Sequence, residues 1–168
     1  MTHYKSENEI WLVYAKKHTE KPRISYNDAV EEALCFGWID SIVKTSDSDD
    51  FAQRFSVRNN TNNWSQPNKE RLRVLGEEGR VMPDVLETLP DLSEYDFKIA
   101  PDILQAIKAN DAAWINFQGL SAPYIRIRIS YIEAGRARPE VTEKRLANFL
   151  RKTEQNKLIG YGGIEKYY

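Results

Sequence analysis

Cysteine and histidine are nearly missing from this chain, and their scarcity removes whole classes of chemistry. Cys35 is the only cysteine, and His3 and His18 are the only histidines, among 168 residues. No internal disulfide can form, and no Cys/His zinc set can be completed. Neither a Cys/His nor a Ser/His/Asp nucleophilic set is expected on so few histidines. A chain without disulfides suits a reducing compartment, so the expected location is the cytoplasm. A dominant charge is lacking too: 24 basic against 25 acidic side chains leave a net charge of -1, which argues against a wholly basic nucleic-acid coat. At 41% hydrophobic the composition is that of a folding chain rather than a disordered one. No stretch reaches the ~18 consecutive apolar residues that span a bilayer, and residues 1–6 carry no apolar secretory core. The late glycines, Gly160, Gly162 and Gly163, lack the G-x-G-x-x-G spacing of a dinucleotide loop. Asp47, Asp49 and Asp50 lack the glycine and distal glutamate of a calcium loop. The expectation is therefore no cofactor and no metal.

What is present reads as an α+β protein, with a small antiparallel sheet and helices in the N-terminal half and a helical C-terminal half. Residues 10–15 are rich in β-branched and aromatic side chains and end in Lys16, Lys17 and His18, as a strand running out to solvent does. Ser25 with Asp28 three residues on opens a helix, Val30, Ala33 and Leu34 give it a buried stripe, and Gly37 fits its left-handed stop. Residues 38–43 and 51–57 read as two strands joined by the polar turn 46–50; Phe51, Gln53, Phe55 and Val57 share one face, and Ala52, Arg54, Ser56 and Arg58 the other. Asn59 to Asn63 read as a loop. Ser65 and Pro67 open a helix with Leu72 and Leu75 that Gly79 ends, and residues 81–89 add a short one.

Nine acidic and three basic residues lie between Glu77 and Asp111, and the absence of a period near residue 93 marks a boundary. The chain is thus divided into an α+β region 1–90, a linker 91–98, a helical region 99–158 and a loose tail 159–168. Four helices are expected in the helical region: one from Pro101, one capped by Asp111, one opened by Ser121 and Pro123, one from Pro139. Residues 124–131 alternate apolar and polar like a strand, yet Ile125, Ile129 and Ile132 make a helical stripe; with the Ser121/Pro123 start signal, helix is the reading.

Trp38, Asp40, Arg54, Arg58, Trp64, Asn68 and Arg71 form the candidate ligand-binding site. Arginine presents a planar fork of donors to carboxylate or phosphate, and tryptophan a rigid face for a ring or guanidinium, so the set suits a small anionic or aromatic ligand. The same residues suit a structural role in which Asp40 pairs with an arginine and the tryptophans fill a seam. A second candidate is the basic stretch 126–157, with nine basic and four acidic residues. There Arg126, Arg128, Lys144, Arg145, Arg151 and Lys152 can track a phosphate backbone or lie as a solvated helix surface. Cys35, on the apolar side near a helix end, reads as a buried structural thiol.

Ala33-Leu34-Cys35-Phe36-Gly37-Trp38-Ile39-Asp40-Ser41, then Gln53-Arg54-Phe55 with Arg58, then Trp64-Ser65 with Asn68 and Arg71 are joined in the second half by Ala113-Trp114 with Phe117, Tyr131-Ile132-Glu133-Ala134, and Arg138-Pro139-Glu140 with Thr142 and Arg145. Over residues 8–157 this series resembles the bacterial YdeI/OmpD-associated, or bacteriocin-protection, family. The chain departs from the family in lacking a helical lead-in, in Tyr131 where tryptophan is usual, and in a longer joint at 135–138. The resemblance implies survival of bacteriocins or cationic antimicrobial peptides and a link to outer-membrane porin, and it carries no catalytic residues. The resulting expectation is a non-enzymatic binding or interaction protein of envelope stress, with a small anionic ligand or protein partner. The alternatives are nucleic-acid binding through the basic C-terminal helices, and an enzyme acting on a small anionic substrate.

Overall fold

The computed structural model describes residues 3–45, 49–59, 64–93, 97–160 and 163–168. Among these are three strands and seven α-helices. The parts of the expected turn 46–50, loop 59–63, linker 91–98 and tail that fall on residues 46–48, 60–63, 94–96 and 161–162 lie outside the described residues. The chain forms two compact units, one of residues 1–64 and 71–92, the other of residues 65–70 and 93–168.

In the first unit, β1 (Glu9–Ala15), β2 (Trp38–Thr45) and β3 (Asp50–Val57) form an antiparallel sheet in the order β1-β3-β2. Ile10 pairs with Phe55, Leu12 with Gln53, Trp38 with Val57 and Asp40 with Phe55, and the register slips between Asp40 and Val43. Because directly paired residues share a face, Ile10, Leu12, Phe55, Trp38 and Asp40 lie on one side and Glu9, Trp11 and Arg54 on the other. The first side is covered by α1 (Tyr26–Cys35), whose amide at Asp28 donates to the Ser25 hydroxyl, 3.1 Å. The helix stops at Gly37, in the left-handed region at φ 71°. Its core joins Val30, Leu34 and Cys35 to Trp38, Phe55, Leu72, Leu75, Val81 and Val85, each large apolar side chain contributing about 1.5–3 kcal/mol by leaving water. Leu72 and Leu75 belong to α2 (Gln66–Glu77) and Val85 to α3 (Pro83–Leu86).

The second unit contains α4 (Pro101–Lys108), α5 (Asp111–Phe117), α6 (Ala122–Glu133) and α7 (Pro139–Glu154). Its core gathers Ile103, Ile107, Phe117, Tyr124, Ile129, Ile132 and Phe149. The cap of α5 is Asn110, whose side chain accepts from the Ala113 amide at 3.0 Å, rather than the expected Asp111, which is the first helical residue. α6 is a helix despite its alternating sequence because it is buried on nearly every side. Arg126 is closed by a two-pronged pair with Glu70, 2.7 and 2.8 Å, so the polar positions are core positions. The expected loose tail is instead tied down at its end, where Ile164–Tyr167 form a 3-10 turn with Ile164 and Tyr167 buried.

Candidate functional site

A cavity of about 570 Å³ opens in the first unit, within the ~300–1,000 Å³ range of small-molecule sites. Side chains two apart on a strand share a face, so β1 presents Ile10 and Leu12 to it, beside Phe55 and Trp38 of the neighbouring strands. Side chains four apart on a helix stack in a row. One row of α1 supplies Ala29 and Ala33, whose small side chains leave the space open, and the next supplies Asp28 and Glu32, continued by Phe36 just past the helix end. The segment before β1 closes the wall with His3, Tyr4 and Glu7. That segment is anchored at three points. The Trp38 Nε1 donates to the Tyr4 carbonyl at 3.3 Å, the Tyr4 hydroxyl donates to Asp84 at 3.0 Å, and Lys5 Nζ lies 3.0 Å from the same carboxylate. The Lys5 partnership, seconded by Tyr4, holds the Asp84 carboxyl below its ordinary value. Tyr4 also packs its ring 5.1 Å from that of Phe36.

The cavity walls are apolar and their charge is of one sign. Glu7, Asp28 and Glu32 are carboxylates, and among the lining residues only His3 is basic. Glu32 has a distant partner in Arg80, 3.6 Å away. Ile10 and Ile24, both lining residues, are 47% and 55% exposed, large apolar groups left at the rim where a ligand would cover them.

Of the residues singled out in the sequence, only Trp38 lines this cavity. Asp40 accepts from the Tyr26 hydroxyl at 2.7 Å. Arg54 lies on the opposite face of the sheet, where its Nε donates to Glu9 at 2.7 Å; that pairing holds the Glu9 carboxyl below its ordinary value. Arg58 sits 3.8 Å over the Trp64 ring, and its backbone amide donates to the Gly37 carbonyl at 3.0 Å. Burial lowers the Arg58 guanidinium from its ordinary value. Arg71 donates to Asn27 at 2.7 Å. Asn68 is buried and belongs to the second unit. The seven residues therefore do not converge on one cavity: strand alternation sends Arg54 away from Trp38 and Asp40, and Arg71 is engaged by a neighbouring side chain. Cys35 is buried, which pushes its thiol up to about 11 and keeps it protonated at neutral pH.

His3, Tyr4, Glu7 and Ile24 were not legible as site residues, since nothing in residues 3–8 distinguishes a cavity wall from a polar lead-in. The alternation Ile10/Leu12 and the alanine row of α1 were the available signals. In the second unit, Arg126 and Arg128 are 4% and 5% exposed, so two of the six basic residues offered for a phosphate backbone are inside the helical core. Among the described residues no group of three or more His, Cys, Asp or Glu is placed to hold a metal, and no helix is long and apolar enough to cross a membrane.

The chain belongs to the family described as domain of unknown function (DUF8412), whose model matches residues 1–88. Residues 96–156 match the family described as bacteriocin-protection, YdeI or OmpD-associated. That match is narrower than the residues 8–157 over which the motifs resemble the second family: the first-half motifs fall in the segment matched by the other. No curated protein and no solved structure matches the chain.

Proposed function

We propose, for a chain whose residues 96–156 match the bacteriocin-protection family, that it is a non-enzymatic binding protein of the cytoplasm acting in resistance to antimicrobial peptides. Its first unit takes a cationic amphiphile. The observation that carries this reading is the 570 Å³ cavity with apolar walls and three carboxylates. An apolar body fills the space between sheet and α1, and an amine or guanidinium meets Glu7, Asp28 and Glu32. The anionic ligand expected from Arg54, Arg58 and Arg71 is replaced by a cation, because Arg54 is engaged by Glu9 and Arg71 by Asn27, while acidic groups surround the open space.

The test is calorimetric titration with dodecylamine, dodecanol and dodecanoate. The amine should bind saturably and at least about tenfold tighter than the carboxylate, the worth of roughly 1.4 kcal/mol of charge complementarity. Ala29→Phe, which fills the floor, should abolish binding of all three, and Glu7→Gln with Asp28→Asn should erase the preference for the amine. Equal binding of amine and carboxylate, or binding unaffected by Ala29→Phe, would reject the proposal.

A further inference from the structure

A second cavity, of about 170 Å³, lies in the helical unit between α6 and α7. Its polar lining consists of Arg128, Tyr131, Lys144, Arg145 and Asn148, and among the described residues no carboxylate lines it. Three cationic side chains, Arg128, Lys144 and Arg145, converge on this one small space. Gathering like charges is unfavourable in a partly desolvated site, and a bound anion reverses the sign of that term.

The arrangement is also held in place before any ligand arrives. Arg128 is 5% exposed, and its Nη2 donates to the Ile159 carbonyl at 2.6 Å and to the Tyr168 hydroxyl. That hydroxyl donates on to the same carbonyl at 3.1 Å, and burial keeps the Tyr168 phenol above its ordinary value, hence protonated. The Arg145 guanidinium carbon lies 3.8 Å from the centre of the Tyr131 ring while its Nη1 donates to the Tyr131 carbonyl at 2.6 Å. Lys144 and Asn148 are one turn apart on α7, on the same helix face. The Asn148 side-chain oxygen accepts from Arg151 at 2.7 Å, which leaves its amide NH2 as the end that donates to an anion. At about 170 Å³ the cavity has room for a tetrahedral oxyanion.

We propose that this cavity binds one phosphate-type oxyanion, with Lys144, Arg145 and Asn148 as direct ligands and Arg128 as a fixed buried positive charge. The charged fork of arginine and the point charge of lysine are the usual partners of phosphate. The oxyanion is free in solution or borne on a lipid headgroup. This site is separate from the first-unit cavity and stands or falls independently of the ligand assigned there.

The full chain is titrated calorimetrically with inorganic phosphate, and separately with acetate, at constant ionic strength. Phosphate is expected to bind saturably with one site per chain. Lys144→Glu, at an exposed position, should weaken phosphate about tenfold or more, as losing a charge-assisted contact and adding a repulsive one should. Lys157→Glu, equally exposed but outside the cavity, should leave the affinity unchanged. Co-sedimentation with phosphatidylcholine vesicles, with and without phosphatidic acid, separates the two sources. Recruitment by phosphatidic acid that free phosphate displaces assigns the headgroup, and any other vesicle result beside saturable phosphate binding assigns the free ion. The proposal is overturned if phosphate shows no saturable binding, if acetate binds as tightly, or if the two lysine variants behave alike.

Discussion

The residues that matter most for the second unit are a pair that composition alone would place on the surface. Arg126 and Glu70 are 5% and 2% exposed at their side chains and joined by two parallel hydrogen bonds, while Glu70 Oε1 also accepts from Gln66 at 2.7 Å. Removing one partner leaves the other charge desolvated, which costs more than the pair itself contributes. Glu70→Ala should therefore destabilise the protein by about 3–5 kcal/mol in urea unfolding, whereas replacing both residues by apolar ones of similar volume should cost much less. A loss below about 1 kcal/mol on Glu70→Ala would mean that the pair is hydrated, as surface pairs are. From sequence Arg126 reads as a phosphate contact or part of a solvated helix surface, because its partner lies 56 positions away and no local period carries that information. Arg128 was misplaced for the same reason, its partners being at 159 and 168.

At the scale of elements, the most legible features were those with local causes. Ser25 and Ser121 cap the helices they were expected to cap, accepting from amides three residues on at 3.1 and 3.4 Å. Gly37 ends α1 at φ 71°, and a Cβ there would meet Val85 Cγ2 at 3.2 Å. Both the backbone and the space thus ask for glycine, and Gly37→Ala should destabilise by about 1–2 kcal/mol from the left-handed conformation alone. Thermal unfolding checks this: an unchanged midpoint would show that the backbone relaxes out of that conformation at no cost. The two-faced division of β3 was legible from alternation. Its consequence, that Arg54 and Trp38 cannot share a site, needed the pairing of three strands. The cavity was not legible because its walls come from three separated segments, and because Ala29 and Ala33 act by what they leave empty.

On the scale of the whole molecule, the near-zero net charge conceals segregation: one unit holds a cavity lined by acids, the other a cavity lined by bases. Exposed ion pairs set the acid limb of stability. Asp84, Asp102, Glu9 and Asp49 are each held below their ordinary values, first by hydrogen bonds from Lys5, Arg136, Arg54 and His18 respectively. A carboxyl lowered in the folded state stabilises above its unfolded value, about 4, and that stability is lost as pH falls below it. Burial acts oppositely on Cys35. Its thiol, raised from 9.0 to about 11, favours the folded state below the ordinary value and ceases to as pH climbs through the folded one. Thermal midpoints should be flat near neutrality and fall on both sides. Added salt should flatten the acid limb, because exposed pairs are screened, and Cys35→Ala should shallow the alkaline one. An acid limb insensitive to salt would mean that buried groups control it.

One wall of the acidic cavity is made not by sheet or helix but by His3, Tyr4 and Glu7, a stretch pinned through Tyr4 and Lys5 to Asp84 and through a backbone carbonyl to Trp38. For the ligand proposed there, one wall of the site is thus set by residues outside the sheet and α1. Exchanges at His3 and Glu7 should retune what is admitted while sheet and helix beneath stay as they are, and trimming the chain ahead of Asn8 would take away one wall of a cavity that already opens to solvent.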